Sequence, residues 1–329
     1  MANSRTLEDT LAAIGQLRRE PVTSQTIDTL RKALLARSSH VVAKAAQVSG
    51  ELGLRAIVAD VAAAFDRFLV NPVKSDPGCR AKVEIARALY ELGEDPADVF
   101  PRGVRHRQME PVFGGREDTA AELRCVCALG LVRLQSPDAL VELAELLADP
   151  EAAARAGAAR AIAYADDPAG EPLLRLRALT GEPDPSVLTE ILGALLSLAP
   201  VRSLPFLERL LDHREVATQE AAAVALGASR LREALPVLRV WWDRTADVDL
   251  RRTALLAIAM LRHDDAIAFL LSQVAEGRGP DARDAVAALG TYRHDDGLRA
   301  RVEAAVERRS DVDLRPAYAH SFRAIGDPR

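Results

Sequence analysis

Three stretches near one end of the chain decide how it folds: Asp249-Leu-Arg-Arg-Thr-Ala-Leu-Leu-Ala-Ile-Ala-Met-Leu-Arg-His-Asp-Asp265, Asp281-Ala-Arg-Asp-Ala-Val-Ala-Ala-Leu-Gly-Thr-Tyr-Arg-His-Asp-Asp296 and Asp313-Leu-Arg-Pro-Ala-Tyr-Ala-His-Ser-Phe-Arg-Ala-Ile-Gly-Asp-Pro328. Arg251, Arg283 and Arg315 stand 32 residues apart. An interval of that size between apolar segments with helical spacing and no strand-like alternation describes a stack of two-helix units. The rest of the chain reads as looser copies. First helices carry one buried stripe at i, i+3, i+4, i+7, as in Leu140, Leu143, Ala144 and Leu147 and again in Ile267, Leu270, Leu271 and Val274. Second helices are rich in alanine, and small side chains let neighbouring helices approach closely.

Working outward, residues 1–23 read as a capping helix, with Thr6 as its N-cap and Leu7, Leu11, Ile14 and Leu17 on one stripe. Residues 24–329 read as one continuous domain of about nine two-helix units. One segment interrupts the pattern. Residues 101–117 hold two prolines, three glycines and little repeat character, which predicts an irregular loop. That segment groups Arg102, Arg105, His106 and Arg107 and then presents Met109 and Phe113. Long loops inside regular arrays tend to carry function, so these six residues are the partner-binding candidates; a tolerated insertion lying over the groove is the alternative.

Composition narrows the function. Of 329 residues, 49% are hydrophobic but only 4% aromatic, a balance suited to helical cores. A net charge of −5 disfavours a general phosphate-binding surface, so nucleic acid is an unlikely partner. Cys79, Cys125 and Cys127 are too few and wrongly spaced for a disulfide framework or a zinc knuckle. The opening residues show no signal peptide, and no apolar run approaches the roughly 20 residues that span a bilayer. The expectation is a cytoplasmic protein off the membrane.

The Leu-x-x-Leu-Leu-x-Asp ends of first helices (Leu143 to Asp149, Leu207 to Asp212), the turns that follow, and second helices such as Ala154-Arg155 to Ile162 and Leu314-Arg315 to Phe322 resemble HEAT repeats, and within them the bacterial phycobilin-lyase-like subgroup. The resemblance covers residues 24 to 327. It implies an all-α, right-handed curved α-α superhelix that works as an adaptor, binding a protein or peptide on the groove formed by the second helices. It also implies an internal ladder, in which Arg80, Arg124, Arg155, Arg251, Arg283 and Arg315 each pair with an aspartate of the preceding turn, as Arg155 would with Asp149. The alternative turns some of these arginines into the groove as forks for a partner's anionic groups.

No nucleophile-base pair, phosphate-binding glycine loop, metal spacing or cofactor motif stands out. The repeated Arg-His-Asp-Asp at 262–265 and 293–296 offers metal-ligand residue types, but each copy falls where one helix stops and the next starts, where cations and capping aspartates belong. Trp241-Trp242-Asp243-Arg244 has the residue types that a HEAT-like family of DNA alkylation glycosylases uses in its groove, yet the tryptophans continue the stripe of Leu235 and Leu238 and so read as core. A HEAT-like enzyme, of the phycobilin-lyase or alkylpurine DNA glycosylase kind, is the alternative to the scaffold.

Overall fold

The computed structural model describes residues 2–310 and 312–323. Within them the chain is a succession of helices: α1 (Ala2–Gln16), α2 (Ser24–Leu34), α3 (Ser39–Glu51), α4 (Val58–Leu69), α5 (Pro72–Ser75), α6 (Arg80–Leu92), α7 (Val99–Gly103), α8 (Ala121–Arg133), α9 (Ala139–Leu146), α10 (Ala152–Ala165), α11 (Glu171–Thr180), α12 (Pro185–Leu198), α13 (Pro200–Leu210), α14 (Val216–Ser229), α15 (Ala234–Arg244), α16 (Val248–Met260), α17 (Asp264–Glu276), α18 (Gly279–Leu289), α19 (Asp296–Glu307) and α20 (Arg315–Ser321). Setting aside α1 and the single turn α5, these form nine consecutive pairs, from α2 with α3 to α19 with α20. The fold is an all-α solenoid. The third of the quoted stretches is described through Phe322 and Arg323; residues 324–328 lie outside the described residues.

Two compact units divide the chain, Met1–Leu173 and Leu174–Arg329. In the first, α1 packs on the second helices, which stack in the order α3, α6, α8, α10; in the second, α12, α14, α16, α18 and α20 do the same. Alanine and glycine make that contact close. A Cβ on Gly50 of α3 would stand 2.9 Å from the Ala88 Cα of α6, and one on Gly227 of α14 would stand 2.8 Å from the Ala257 Cα of α16. No side chain fits at either point without moving a backbone.

The first helices supply the bulk between these layers. Leu143, Leu146 and Leu147 of the α9 turns, Leu270 and Val274 of α17 and Trp241 of α15 are buried. Trp242 is buried as well, edge-on to Phe269 with ring centroids 5.6 Å apart, so both tryptophans belong to the core. Of the two Arg-His-Asp-Asp copies, the second supplies a capping aspartate, Asp295, while the first does not, since α17 starts after His263 with no side-chain cap. Asp184 accepts the N–H groups of Ser186 and Val187, Asp247 those of Asp249 and Leu250, and Asp295 that of Leu298. Thr6 is not a cap, because α1 already begins at Ala2.

The irregular loop expected at 101–117 is ordered structure. Asp95 accepts the N–H groups of Val99 and Phe100 and so starts α7, which runs to Gly103. After a short connection the chain forms a β-hairpin, β1 (Met109–Val112) against β2 (Gly115–Asp118), in antiparallel register with Met109 opposite Asp118 and Val112 opposite Gly115. The connection is two residues, Phe113-Gly114, and Gly114 takes the left-handed position at φ +87° that glycine alone adopts freely.

Candidate functional site

The hairpin leaves the solenoid between α7 and α8, and its base is built almost entirely from charge and hydrogen bonds. Gln108, 1% exposed, donates its backbone N–H to Asp118 Oδ1 at 3.0 Å and its side-chain amide to the Asp76 carbonyl at 2.8 Å. Glu110 Oε1 accepts from the Gly78 N–H at 2.7 Å, the Gln108 amide at 2.6 Å and the Thr119 hydroxyl at 2.9 Å. Asp76 in turn caps α6 through the N–H groups of Ala81 and Lys82, and takes the Lys82 ammonium at 2.9 Å with neither side chain exposed. A salt bridge so completely dehydrated depends on further hydrogen bonds, which both Asp76 oxygens receive from the α6 backbone. Lys82 also donates to the Phe68 carbonyl at 3.3 Å.

On the other side of the hairpin, Arg124 of α8 is 1% exposed and joins three elements. Its guanidinium bonds the His106 carbonyl at 2.9 Å, Asp118 Oδ2 at 2.8 Å and the Asp149 carboxylate at 3.1 Å. Arg107 reaches the same Asp149 at 3.1 Å, and Arg105 forks onto Glu142 of α9, with Nε to Oε2 at 2.9 Å. Arg102 bonds Asp66 of α4 at 2.5 Å and lies over the Phe65 ring. Three of the six residues expected to meet a partner are thus ion-paired to the solenoid itself. They clamp the insert down. Sequence reading placed them on a loop free to project, and it missed that acids of neighbouring units (Asp66, Glu142, Asp149) stand opposite them.

The electrostatics fit a closed base. Burial, with help from Lys82, holds the His106 imidazole below its ordinary value, and its Nε2 has no hydrogen-bond partner. Burial pushes the Glu110 and Asp118 carboxyls up, but the hydrogen bonds they accept and the nearby Lys82 and Arg124 charges outweigh it and hold both below the usual carboxylate range. Burial pushes the Cys79 thiol up to about 12, so it is no nucleophile at neutral pH. The Cys127 thiol is buried and pushed up in the same way.

What the base presents is an apolar tip. Phe113 is fully exposed at the turn, with Met109 40% and Val112 45% exposed beside it. Gly78, whose N–H holds Glu110, also lines a cleft of ≈ 440 Å³ on the second-helix face together with His40, Lys44, Arg80, Glu84 and Glu122. The base of the hairpin is thus bonded, through Glu110, to a residue of that cleft. The signal for the hairpin in sequence was weak, Gly114 between two short segments, because Phe-Gly is not one of the usual two-residue hairpin turns.

The arginine column divides. Arg124, Arg155 and Arg251 are buried or nearly so, while Arg80, Arg283 and Arg315 are exposed. The pairing also runs differently from the expected one. Arg155 donates to the backbone carbonyls of Asp149 and Pro150, and the Asp149 carboxylate is taken by Arg124 of the preceding pair. Arg251 likewise holds the carbonyls of Trp242 and Thr245 behind it and Asp281 of the next second helix ahead, at 2.8 Å. At the second pair the rung is Lys82 with Asp76, because left-handed turns at Gly78 and Cys79 start α6 so that Arg80 falls outside. Among the described residues Arg283 bonds only the Gly279 carbonyl of its own helix, and Arg315 precedes no further described helix; Asp313, the acid ahead of Arg283, is exposed and accepts the Arg315 N–H.

The repeating helix pairs and their rungs define the class, an α-solenoid of helical hairpins. Residues 140–227 and 204–290 each match the family model for HEAT repeats, so this stretch of the chain is built of HEAT repeats. No curated protein matches it. Among solved structures it is similar to the complex of CpcE and CpcF of phycocyanin lyase from Nostoc sp. PCC7120, at 20% identity over 72% of this chain and 92% of that one with a TM-score of 0.36. It is also similar to a homology model of the full-length AP-3 complex, at 11% identity over 96% of this chain and 72% of that one with a TM-score of 0.47. An engineered protein aligns at 16% identity over 98% and 96% of the two chains with a TM-score of 0.34. None of the described helices is long and apolar enough to cross a membrane.

Proposed function

We propose that the chain is a non-catalytic scaffold that docks a protein partner on the second-helix groove of its first unit, with the hairpin tip as the anchor. The observation that carries this reading is Phe113, a fully exposed aromatic at the end of a strand pair whose base is fixed by buried ion pairs. Aromatic residues held on a rigid support lose little conformational entropy on binding and are the commonest interface anchors. The adjoining cleft offers His40, Lys44 and the exposed Arg80 beside Glu84 and Glu122, a polar wall suited to fixing the orientation of a peptide or helix. Arg80 contributes here as a groove cation.

The test is capture of partners by the full chain from its own cell extract, compared with a Phe113→Ser, Met109→Ser variant. Both positions are exposed, so the variant melts like the parent. Loss of a specific captured protein supports the reading. Undiminished capture by the variant, or turnover of any substrate by the parent, overturns it.

A further inference from the structure

The second unit carries a cleft of its own. It has a volume of ≈ 480 Å³ and lies where α14, α16 and α18 end, walled by Arg230, Arg262, Tyr292, His294 and Asp295 with Met260 as an apolar contribution. Its size is that of small-molecule sites. Two features of its cations are unusual.

The first is backbone conformation. Arg230 and Arg262 both sit just past a helix end in the left-handed region, at φ +55° and +58°. The corresponding ends of α3 and α6 use Gly53 and Gly93 and that of α10 uses Asp166, residue types that tolerate this conformation, while that of α8 uses Gln135 at φ +52°. Arginine is not among the tolerant types. Gln135 shows that the conformation alone does not single out a cation; what sets Arg230 and Arg262 apart is that both line one cleft, in two successive repeats.

The second is convergence. The positive charges of both Arg262 and Arg230 act on the Tyr292 hydroxyl, partly offsetting the burial that raises it. That hydroxyl is anchored to the Ala259 carbonyl, so the ring forms a fixed wall. Among the described residues neither guanidinium has an ion-pair partner. Asp295, the acid of the cleft, spends Oδ1 on the Leu298 N–H. The cleft therefore holds two unpaired forks, an imidazole and a single carboxylate.

We propose that this cleft binds the doubly charged oxyanion head of a small molecule, a phosphate monoester or a dicarboxylate, with Arg230 and Arg262 as the paired forks and His294 as a further donor. Guanidinium presents parallel N–H groups that match either head. The apolar wall at Met260 receives the body of the ligand. The site is independent of the hairpin and its proposed partner.

Calorimetric titration of the full chain at low salt with inorganic phosphate, and in parallel with succinate, tests this. The comparison is the Arg230→Gly, Arg262→Gly variant, in which glycine suits the left-handed backbone and the melting curve confirms the fold. Saturable binding of at least one anion, weakened at least about tenfold in the variant, is the expected result. Binding of phosphate alone assigns a phosphoryl head; binding of succinate alone assigns a dicarboxylate. If neither anion binds, or if the glycine variant binds as tightly as the parent, the proposal is wrong.

Discussion

Arg105 forks both carboxylate oxygens of Glu142 across 37 residues of sequence, and the side chain of Glu142 is only 6% exposed. An exposed cation thereby neutralises a buried anion of the next helix pair. The residue that looked free to meet a partner is part of what fixes the insert.

It follows that the Arg105→Ala, Arg107→Ala double variant melts lower than the parent, because Glu142 and Asp149 each lose a partner while remaining buried. Scanning calorimetry reads the shift, and hydrogen exchange locates the loss in the hairpin and the start of α9. An unchanged melting curve would show that Arg124 alone satisfies Asp149 and that water satisfies Glu142. Partner capture by the double variant at a temperature where it is folded should persist through Phe113.

Lys82 and Asp76 give a larger effect, since neither is exposed at all. Lys82→Ala leaves a buried carboxylate without its charge partner and should cost about 3 to 5 kcal/mol. Lys82→Met with Asp76→Ala avoids the orphaned charge but removes the α6 cap and the hairpin's neighbour, so it should recover only part of that loss. Chemical denaturation of the single and double variants decides. A single variant within error of the parent would mean that water enters the site.

Acid should loosen the same base in two stages. His106 is held below its ordinary value of 6.5, so the unfolded chain takes up a proton first, and its contribution is present above that pH and lost as pH falls through it. Glu110 and Asp118, both held low, contribute above the ordinary carboxylate range and lose that contribution as pH falls through their depressed folded values. Stability measured from pH 8 downward should therefore decline first near 6.5 and again in the carboxylate range. His106→Gln should abolish the first decline and keep the second; a first decline that survives the substitution would assign it to another group.

The helix pairs were readable because burial of one face per helix writes a 3.6-residue period, and repetition writes it nine times. The hairpin was not, because its strands are almost wholly exposed, contain Pro111 and show no alternation of apolar residues. Nor could the column be assigned position by position. Whether a register position faces the interior depends on how the preceding turn starts the helix, and the left-handed Gly78 and Cys79 move that role from Arg80 to Lys82. The acids opposite Arg102, Arg105 and Arg107 lie 36, 37 and 42 residues away in sequence, beyond any local pattern.

Three arginines of one register, Arg251, Arg283 and Arg315, now separate by environment. Arg251, with its side chain 20% exposed, lies over the Trp242 ring at 4.4 Å, holds two carbonyls of the turn behind it and pairs with Asp281, 13% exposed, in the helix ahead. Arg251→Ala strips hydrogen bonds from half-buried acceptors on both sides, and should destabilise the second unit by about 1 to 3 kcal/mol. Arg251→Lys should recover little, because an ammonium cannot serve the carbonyls and the carboxylate in the guanidinium's planar geometry. Arg283→Ala and Arg315→Ala remove exposed side chains with no acidic partner among the described residues, and each should stay within about 0.5 kcal/mol of the parent. Denaturation of the four variants side by side is the measurement. Equal effects at all three positions would mean that the ladder is continuous and that Asp281 does not single out Arg251; a null effect at Arg251 would mean that solvent replaces the rung.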